Sequence, residues 1–352
     1  MLPRDVPFSP RATLNDLLAG RARVIGSRTR VGREDLGLVP GMISPYEARE
    51  AMGLRYGDPP IEEARYERDR TPLGDFGLFA RWAVTRVAKR SAAASSDSDA
   101  RPYVVAAHVD AIDTSDAIAR ILGWLREGRG GSVFFVHPHA LNLAARDDAF
   151  RDQLAQGALV LPDGIGLRVA SSILGQQLPA NVNGTDLVPE LLVELAADRI
   201  PIALVGGAPG VADRAAAAWQ ARTGVDVVAT WDGFQDDATY EAMSEQLRKA
   251  GPCVVMVALG SPRQERFVLR YLAKLPNVVA ITVGGLFDFA SGAKPRAPLA
   301  VRELGMEWAW RLAHEPRRLG RRYLLGNPEF LARAAFQRAR GGNVSTSAPP
   351  RR

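Results

Sequence analysis

Short apolar runs alternate with helix-like patterns from residue 101 to about 295. Runs typical of buried strands occupy 133–136, 158–161, 202–205, 225–229, 253–258 and 278–283. Helical patterns are predicted over 140–156, about 166–174, 186–198, from 211 onward, 237–250 and 262–274. This alternation predicts an α/β fold, a Rossmann-like and mostly parallel sheet with helices on both faces. Ligands of such sheets bind beyond the carboxyl ends of the strands, so the residues that follow each strand are the site candidates.

The same patterning divides the chain into five zones. Residues 1–90 are Arg-rich with few periodic segments, and 91–102 form a small, polar linker. The alternating zone, 103–295, is the predicted main domain. Residues 296–340 are predicted to form a helical, basic C-terminal appendage, and 341–352 a disordered tail.

The charge of the chain is concentrated in the appendage. Residues 296–340 contain ten Arg and four Glu without Lys or Asp, a local charge of +6 that equals the net charge of the whole protein. A basic patch of this kind favours an anionic partner, which is a phosphate, a nucleic acid or an acidic lipid.

The cysteine and histidine content argues against disulfide bonds and a zinc site. The single cysteine, Cys253, excludes an intramolecular disulfide and is expected to be inert core packing. The four His are not accompanied by paired Cys, so a zinc site is not expected. The first residues lack an apolar signal region, and no stretch reaches the roughly 18–20 apolar residues of a membrane span. We therefore expect a cytoplasmic protein that lies on a membrane surface without crossing it.

Asp163 is the leading catalytic candidate. It follows a predicted strand directly, and Gly164 behind it permits a tight turn with room for a ligand. A carboxylate at this edge of the sheet can take a proton from a substrate hydroxyl. The alternative is a turn or helix-capping Asp, which position alone favours.

Two glycine-containing turns are candidates for ligand binding. Gly206-Gly207-Ala208-Pro209-Gly210 could hold a phosphate on backbone N–H groups, although it lacks the dinucleotide fingerprint and could equally be a tight strand–helix connection. In Gly260-Ser261-Pro262-Arg263-Gln264-Glu265, the Ser, Pro and Glu suit a helix start. Gln264 has no capping role there, so its amide is free to bind a sugar or phosphate, whereas Arg263 could be a solvated surface charge.

The appendage repeats basic residues at helical spacing. Arg311, Arg318 and Arg322 fall on one face if a helix continues through Pro316. Basic residues mixed with aromatics bind anionic headgroups or a diphosphate. A solvated charged helix is the alternative.

An ordered set of motifs resembles the WecG/TagA/CpsF family of bacterial glycosyltransferases. The motifs are PDGIG at 162–166, GTDL at 184–187, GSPRQE at 260–265, GG at 284–285 with FD at 287–288, RAP at 296–298, EW at 307–308 and RRY at 321–323. The resemblance covers about residues 104–335 and makes 103–295 the catalytic domain. It implies transfer of a hexose or N-acetylhexosamine from a UDP-sugar to a polyprenyl-diphosphate-linked acceptor, with inversion and without a metal or other cofactor. The pathway implied is exopolysaccharide or other cell-surface polysaccharide biosynthesis.

The resemblance also implies roles for individual residues. Asp163 is the implied base. The implied donor-binding residues are His137, His139, Gly164, Asn181, Gly184, Asp186, Gly207, Gly260, Gln264 and Gly285. The implied acceptor-diphosphate residues are Arg296, Arg311, Arg318, Arg321 and Arg322. Partners would be the two substrates and the anionic inner face of the cell membrane, without nucleic acid, and a homo-oligomer is left open.

The chain departs from the family pattern at two donor-side positions. Many members carry Thr-x-Asn after the first strand, where this chain has Phe135-Val136-His137, and an Arg where this chain has Asn181. These changes favour an alternative, a non-catalytic nucleotide-sugar binder or scaffold of a polysaccharide assembly complex. An NAD(P)-dependent enzyme on the same architecture is a second rival that lacks its fingerprint. The N-terminal motifs at 15–20, 24–28, 39–42 and 66–69 resemble the tail of polyprenyl-phosphate sugar-1-phosphate transferases and suggest a non-catalytic remnant.

Overall fold

The computed structural model describes residues 23–25, 41–45, 66–68, 71, 75, 78, 79, 101–176, 178, 182–298, 301 and 307–340. The chain divides into two compact units, one of residues 1–96 with 297–319 and one of residues 97–296 with 320–352. The linker at 91–100, the tail at 341–352 and most of the N-terminal motifs lie outside the described residues, so these assignments stay predictions.

The larger unit is built on a six-stranded parallel sheet. Its strands are β5 (Gly131–Val136), β6 (Leu159–Pro162), β7 (Ile202–Gly206), β8 (Val227–Trp231), β9 (Cys253–Ala258) and β10 (Val278–Thr282). They lie in the order β6-β5-β10-β9-β7-β8. A short antiparallel pair, β3 (Tyr103–Val104) and β4 (Ala107–His108), precedes the sheet. The predicted α/β, mostly parallel fold is confirmed.

Helices cover both faces of this sheet. One face carries α1 (Thr114–Arg126), α5 (Gly184–Ala197), α6 (Val211–Thr223) and α9 (Leu286–Ala290). The other carries α2 (Pro138–Ala144), α3 (Asp148–Ala155), α4 (Ile165–Ile173), α7 (Asp237–Lys249), α8 (Arg263–Phe267) and α12 (Gly326–Ala339). Side chains alternate along each strand between the two cores, so Phe135 packs on the first face and Phe134 on the second.

Switches between the faces create crevices at the carboxyl edge. The chain leaves β5 toward α2 on one face, and it leaves the neighbouring β10 toward α9 on the other. Adjacent strands that lead to opposite faces leave a crevice between their ends, where ligands of open α/β sheets bind. In the same way, the chain leaves β7 toward α6 on one face and leaves the adjacent β9 toward α8 on the other face.

Three predicted elements differ from the structure. The helix predicted over 140–156 is two helices, because Asp147 accepts a hydrogen bond from the Phe150 N–H and starts α3. The strand predicted over 225–229 begins two residues later, at Val227. The helix predicted over 262–274 changes after α8 into a π-helix, Val268–Leu272.

The basic appendage is shared between the two units. Residues 320–340 belong with the sheet and form a π-helix, Arg321–Leu325, followed by α12, whose Phe330 and Ala334 are fully buried. Residues 297–319 belong to the other unit and contain α10 (Glu307–His314) and the start of α11 (Pro316–Gly320). The helix expected through Pro316 is therefore interrupted by a bend at Glu315.

Little of the N-terminal unit is described. Strand β1 (Arg23–Ile25) pairs in parallel with β2 (Gly41–Ile43). The Tyr66 hydroxyl donates to Asp75 Oδ1 at 2.5 Å. No helix of the described ranges is long and apolar enough to cross a membrane.

Candidate active site

Asp163 stands at the carboxyl end of β6, beside the end of β5. Pro162 is in register with Val136, and the Asp163 N–H donates to the Val136 carbonyl at 2.8 Å. The N-cap of α4 is Gly164, with φ 94°, so Asp163 is not the capping residue that its position suggested. A Cβ on Gly164 would meet no atom within 4 Å, so the space there is open. Asp163 is half-buried, and the glycine that follows it leaves open space at this end of the strand.

His137 follows β5, the strand adjacent to β6, and is the N-cap of α2. Its Nδ1 accepts a hydrogen bond from the Ala140 N–H at 3.0 Å, and its Nε2 is 2.9 Å from Nη2 of Arg322. The structure thus brings together Asp163, a predicted donor-side residue and a predicted diphosphate residue. Asp163 and His137 follow the adjacent strands β6 and β5, and Arg322 contacts His137 at this edge of the sheet.

His139 is part of the same basic corner. Burial lowers the pKa of the His139 imidazole, and the positive charges of Arg322 and Arg146 lower it further. The His137 and His139 rings lie 6.1 Å apart, nearly parallel. A neutral His139 leaves the positive charge of this corner to its two arginines.

Arg296 and Asp186 form an ion pair at the start of α5. Arg296 Nη2 is 2.6 Å from Asp186 Oδ1, and Asn183 Nδ2 donates to Asp186 Oδ2 at 2.8 Å. The predicted diphosphate arginine is thus held by the predicted donor-side aspartate. Gly184 is buried, and a Cβ there would approach the Phe135 ring at 3.4 Å, which gives this glycine a packing role.

Gln264 is buried and its amide is fully engaged. Its Nε2 donates to Ser261 Oγ at 3.3 Å and to Glu265 Oε1 at 2.9 Å, and its Oε1 accepts from the Gly284 N–H at 3.2 Å. The amide therefore ties the turn after β9 to the turn after β10. The predicted contact between Gln264 and the donor stays a prediction, and the geometry shows a bridge between two loops.

The remaining predicted glycines lie at the same edge. Gly207, with φ 75°, donates its N–H to the Ala258 carbonyl at 3.1 Å and accepts from the Gly233 N–H at 2.9 Å. Its turn thus has the structural role of a tight connection, packed against β9. Gly260, with φ 73°, opens to space, and Gly285 is exposed at the N-cap of α9.

Some predicted residues lie elsewhere. Asn181 is outside the described residues. Arg311 and Arg318 belong to the N-terminal unit, where Arg318 pairs with Glu315. Arg321 is exposed in the π-helix. Within the described ranges, no group of three or more His, Cys, Asp or Glu side chains is arranged to hold a metal ion.

The structure adds two residues that the motifs did not single out, Arg146 and Phe234, and it shows Glu265 in a different role from the predicted one. The positive charge of Arg146 lowers the pKa of His139. Glu265 is completely buried, and the Phe234 ring is exposed after β8. A signal existed for Phe234, since it follows an Asp-Gly turn at the end of a strand. For Glu265 the sequence predicts a role at a helix start, whereas the structure shows a buried carboxyl group.

The arrangement supports proton abstraction beside an anion. A carboxylate at the carboxyl end of a strand can deprotonate a hydroxyl group, and the guanidinium of Arg322, which contacts His137 at the end of the adjoining strand, can stabilise a phosphate. The hydrogen bond between Gln264 and Gly284 joins the loops after β9 and β10 at the neighbouring strand ends.

Comparisons with known proteins agree with this geometry. The model of the glycosyl transferase WecG/TagA/CpsF family matches residues 102–343. An N-acetylglucosaminyldiphosphoundecaprenol N-acetyl-beta-D-mannosaminyltransferase of Bacillus subtilis (strain 168) is 32% identical over 205 residues, 57% of this chain and 77% of the relative. A protein of the same name from Bacillus spizizenii (strain ATCC 23059 / NRRL B-14472 / W23) is 28% identical over 209 residues, 59% of this chain and 80% of the relative.

Proposed function

Because the chain belongs to the glycosyl transferase WecG/TagA/CpsF family, we propose that it transfers a hexose or N-acetylhexosamine from a UDP-sugar to a polyprenyl-diphosphate-linked acceptor, with inversion at the anomeric carbon. The names of the two Bacillus relatives support the acceptor class, because both contain a sugar joined to undecaprenol through a diphosphate. The UDP-sugar donor rests on the motif resemblance.

The observation that carries the mechanism is the position of Asp163. Its carboxylate takes the proton of the acceptor hydroxyl while the oxygen attacks the anomeric carbon of the donor. The bond between that carbon and the UDP oxygen breaks, and UDP leaves with the electron pair. A single displacement of this kind inverts the anomeric configuration, and a general base contributes roughly 10²–10⁴-fold to the rate.

Positive charge near Asp163 stabilises the leaving group in this mechanism. Negative charge develops on the leaving diphosphate, and Arg322 lies beside the strand that adjoins Asp163. A preorganised guanidinium stabilises such charge without reorganisation in the transition state. We expect the transfer to proceed without a metal ion and the enzyme to work at the inner face of the membrane, where a lipid-linked acceptor resides.

A UDP-release assay tests this proposal. The full chain is incubated with a panel of UDP-sugars and a short-chain polyprenyl-diphosphate-linked N-acetylglucosamine, with and without a chelator. We expect UDP release that requires both substrates, persists with chelator and yields the inverted glycoside by NMR. Retention of configuration would overturn the displacement mechanism. Binding of a UDP-sugar without turnover across the panel would instead support a non-catalytic nucleotide-sugar binder.

A further inference from the structure

Phe234 exposes an aromatic ring at the ligand-binding edge of the sheet. It follows β8 in the segment Asp232-Gly233-Phe234, and 73% of its surface is accessible. No other large hydrophobic residue in the described part of the chain is as exposed. The ring is therefore outside the core and accessible to a ligand.

The backbone that carries this ring is firmly held. The Gly233 N–H donates to the Gly207 carbonyl at 2.9 Å, and the Gly233 carbonyl accepts from Arg263 Nη2 at 3.5 Å. The Phe234 N–H donates to Asp232 Oδ1 at 2.8 Å. The ring therefore projects from a turn that is fixed to its neighbours, as a preformed binding surface requires.

These contacts draw the turn inward from the edge strand. A Cβ on Gly233 would lie 2.9 Å from a Leu259 methyl group and 3.1 Å from the Gly207 carbonyl, so Gly233 sits above the ends of β7 and β9. That place is the second crevice of the sheet, where the chain leaves β7 and β9 toward opposite faces. Gly260, which opens to space, borders it.

The spacing to Asp163 matches the length of a nucleotide sugar. Strand β6, which ends at Asp163, and β9 are three strand positions apart. Neighbouring strands are separated by about 4.8 Å, so the two sites lie roughly 15 Å apart along the edge. An extended nucleoside diphosphate sugar covers this span, with its base at one end and its anomeric carbon near the other.

We propose that Phe234 stacks on the nucleobase of the donor, so that the donor lies along the carboxyl edge with its base above β7 and β9 and its sugar beside Asp163. This inference rests on the proposed nucleotide-sugar donor. Stacking of a base on an aromatic side chain contributes about 1–3 kcal/mol, and it tolerates different bases because each has a π-face.

The test compares binding of UDP to the full chain and to three variants by calorimetry. Phe234→Ala should weaken UDP binding by about 5- to 150-fold, the range that corresponds to loss of one stacked base. Phe234→Trp should bind within a few-fold of the unaltered chain. Phe336→Ala removes another exposed ring, on α12, and should leave binding unchanged. In turnover, Phe234→Ala should raise the donor KM more than it lowers kcat.

Uridine separates stacking from phosphate binding. Phe234→Ala should weaken uridine binding by the same factor as UDP binding, whereas inorganic pyrophosphate should bind both chains equally. UDP binding that is unchanged in Phe234→Ala overturns this inference and leaves the UDP-sugar proposal intact. If the unaltered chain does not bind UDP, the same comparison is made with ADP, GDP, CDP and dTDP. An unchanged affinity for the nucleotide that binds, or no binding of any, overturns the stacking role.

Discussion

Nη2 of Arg322 lies 2.9 Å from Nε2 of His137, although the two residues are 185 positions apart in the chain. The Ala140 N–H already donates to Nδ1 of the same ring. A neutral imidazole has a single acceptor nitrogen, so it cannot accept from both groups. Because Nδ1 is the acceptor, the hydrogen of the neutral ring lies on Nε2. A phosphate oxygen placed at this corner would accept hydrogen bonds from Arg322 and from this Nε2–H group. This corner is thus suited to an anion beside Asp163.

Arg322→Gln tests this corner. The change removes a charge-assisted contact to the diphosphate, which is worth about 1.5–3 kcal/mol, so kcat/KM should fall roughly 10- to 150-fold. Steady-state UDP release, with donor and acceptor varied separately, shows which diphosphate the guanidinium contacts. Arg340→Gln is the matched control, because Arg340 packs over the Phe336 ring in the same segment. An equal loss of kcat/KM in Arg322→Gln and Arg340→Gln would contradict a specific contact of Arg322 and would indicate an effect of the total positive charge of this segment.

Replacement of the catalytic base, Asp163, should lower kcat and leave donor affinity nearly unchanged. Asp163→Asn keeps the shape of the side chain but cannot take the acceptor proton, so kcat should fall by about 10²–10⁴-fold while donor affinity changes little. The thermal unfolding midpoint should stay near that of the unaltered chain, because Gly164 and not Asp163 caps α4. Asp198→Asn, at the end of α5 and remote from the site in sequence, serves as control. Turnover that survives in Asp163→Asn removes the residue from the mechanism.

The sheet was predictable because five of its six strands, all except β8, are almost entirely buried. Strand β9 appears in the sequence as an unbroken apolar run, and its predicted bounds, Cys253–Ala258, agree with the structure. The sequence predicts the region of helix α12 only as part of a basic appendage, because just two side chains of this helix, Phe330 and Ala334, are buried. Few buried positions in a polar helix leave a weak periodic signal, although they suffice to attach it to the sheet.

The site was predictable where it depends on local sequence. Asp163 follows β6 directly and Gly260 follows β9 after one residue, and the topology alone brings strand ends to one edge. The pairing of Arg296 with Asp186 joins positions 110 apart and depends on how α5 packs beside the turn after α9. The hydrogen bond from the Gly284 N–H to Gln264 Oε1 likewise depends on how the loops after β9 and β10 pack together. Long-range contacts of this kind are set by packing, which motif spacing does not describe.

Glu265 should give the protein a measurable pH dependence of stability. Burial raises the pKa of its carboxyl above the ordinary value of 4.5, although hydrogen bonds from Ser261 and Gln264 act in the opposite direction. Between the two pKa values the folded state binds more protons than the unfolded state, so the free energy of unfolding falls as pH rises above 4.5. Glu265→Gln cannot ionise and should lose this component.

Urea unfolding at several pH values measures the effect. The difference in unfolding free energy between the unaltered chain and Glu265→Gln should change in favour of the variant as pH increases from 4.5 toward neutrality. Glu241→Gln, on the exposed face of α7, should follow the unaltered chain at each pH. Parallel curves for the Glu265 variant and the unaltered chain would show that the carboxyl titrates alike in both states.

Asp110 should be the strongest single determinant of stability near the catalytic strand. It is 2% exposed, its Oδ2 accepts from the Val160 N–H at 2.7 Å, and its Oδ1 lies 3.2 Å from Nε of Arg101. Its own N–H donates to the Val160 carbonyl at 2.8 Å, so Asp110 pairs with the free edge of β6. Asp110→Ala leaves Arg101 without this carboxylate and should cost about 3–5 kcal/mol in unfolding free energy. Asp148→Ala, which breaks an exposed pair with Arg151, should cost about 1 kcal/mol or less. Equal shifts of the urea midpoint in the two variants would contradict this role, whereas a large shift for Asp110→Ala alone would identify the contact that holds the Asp163 strand in place.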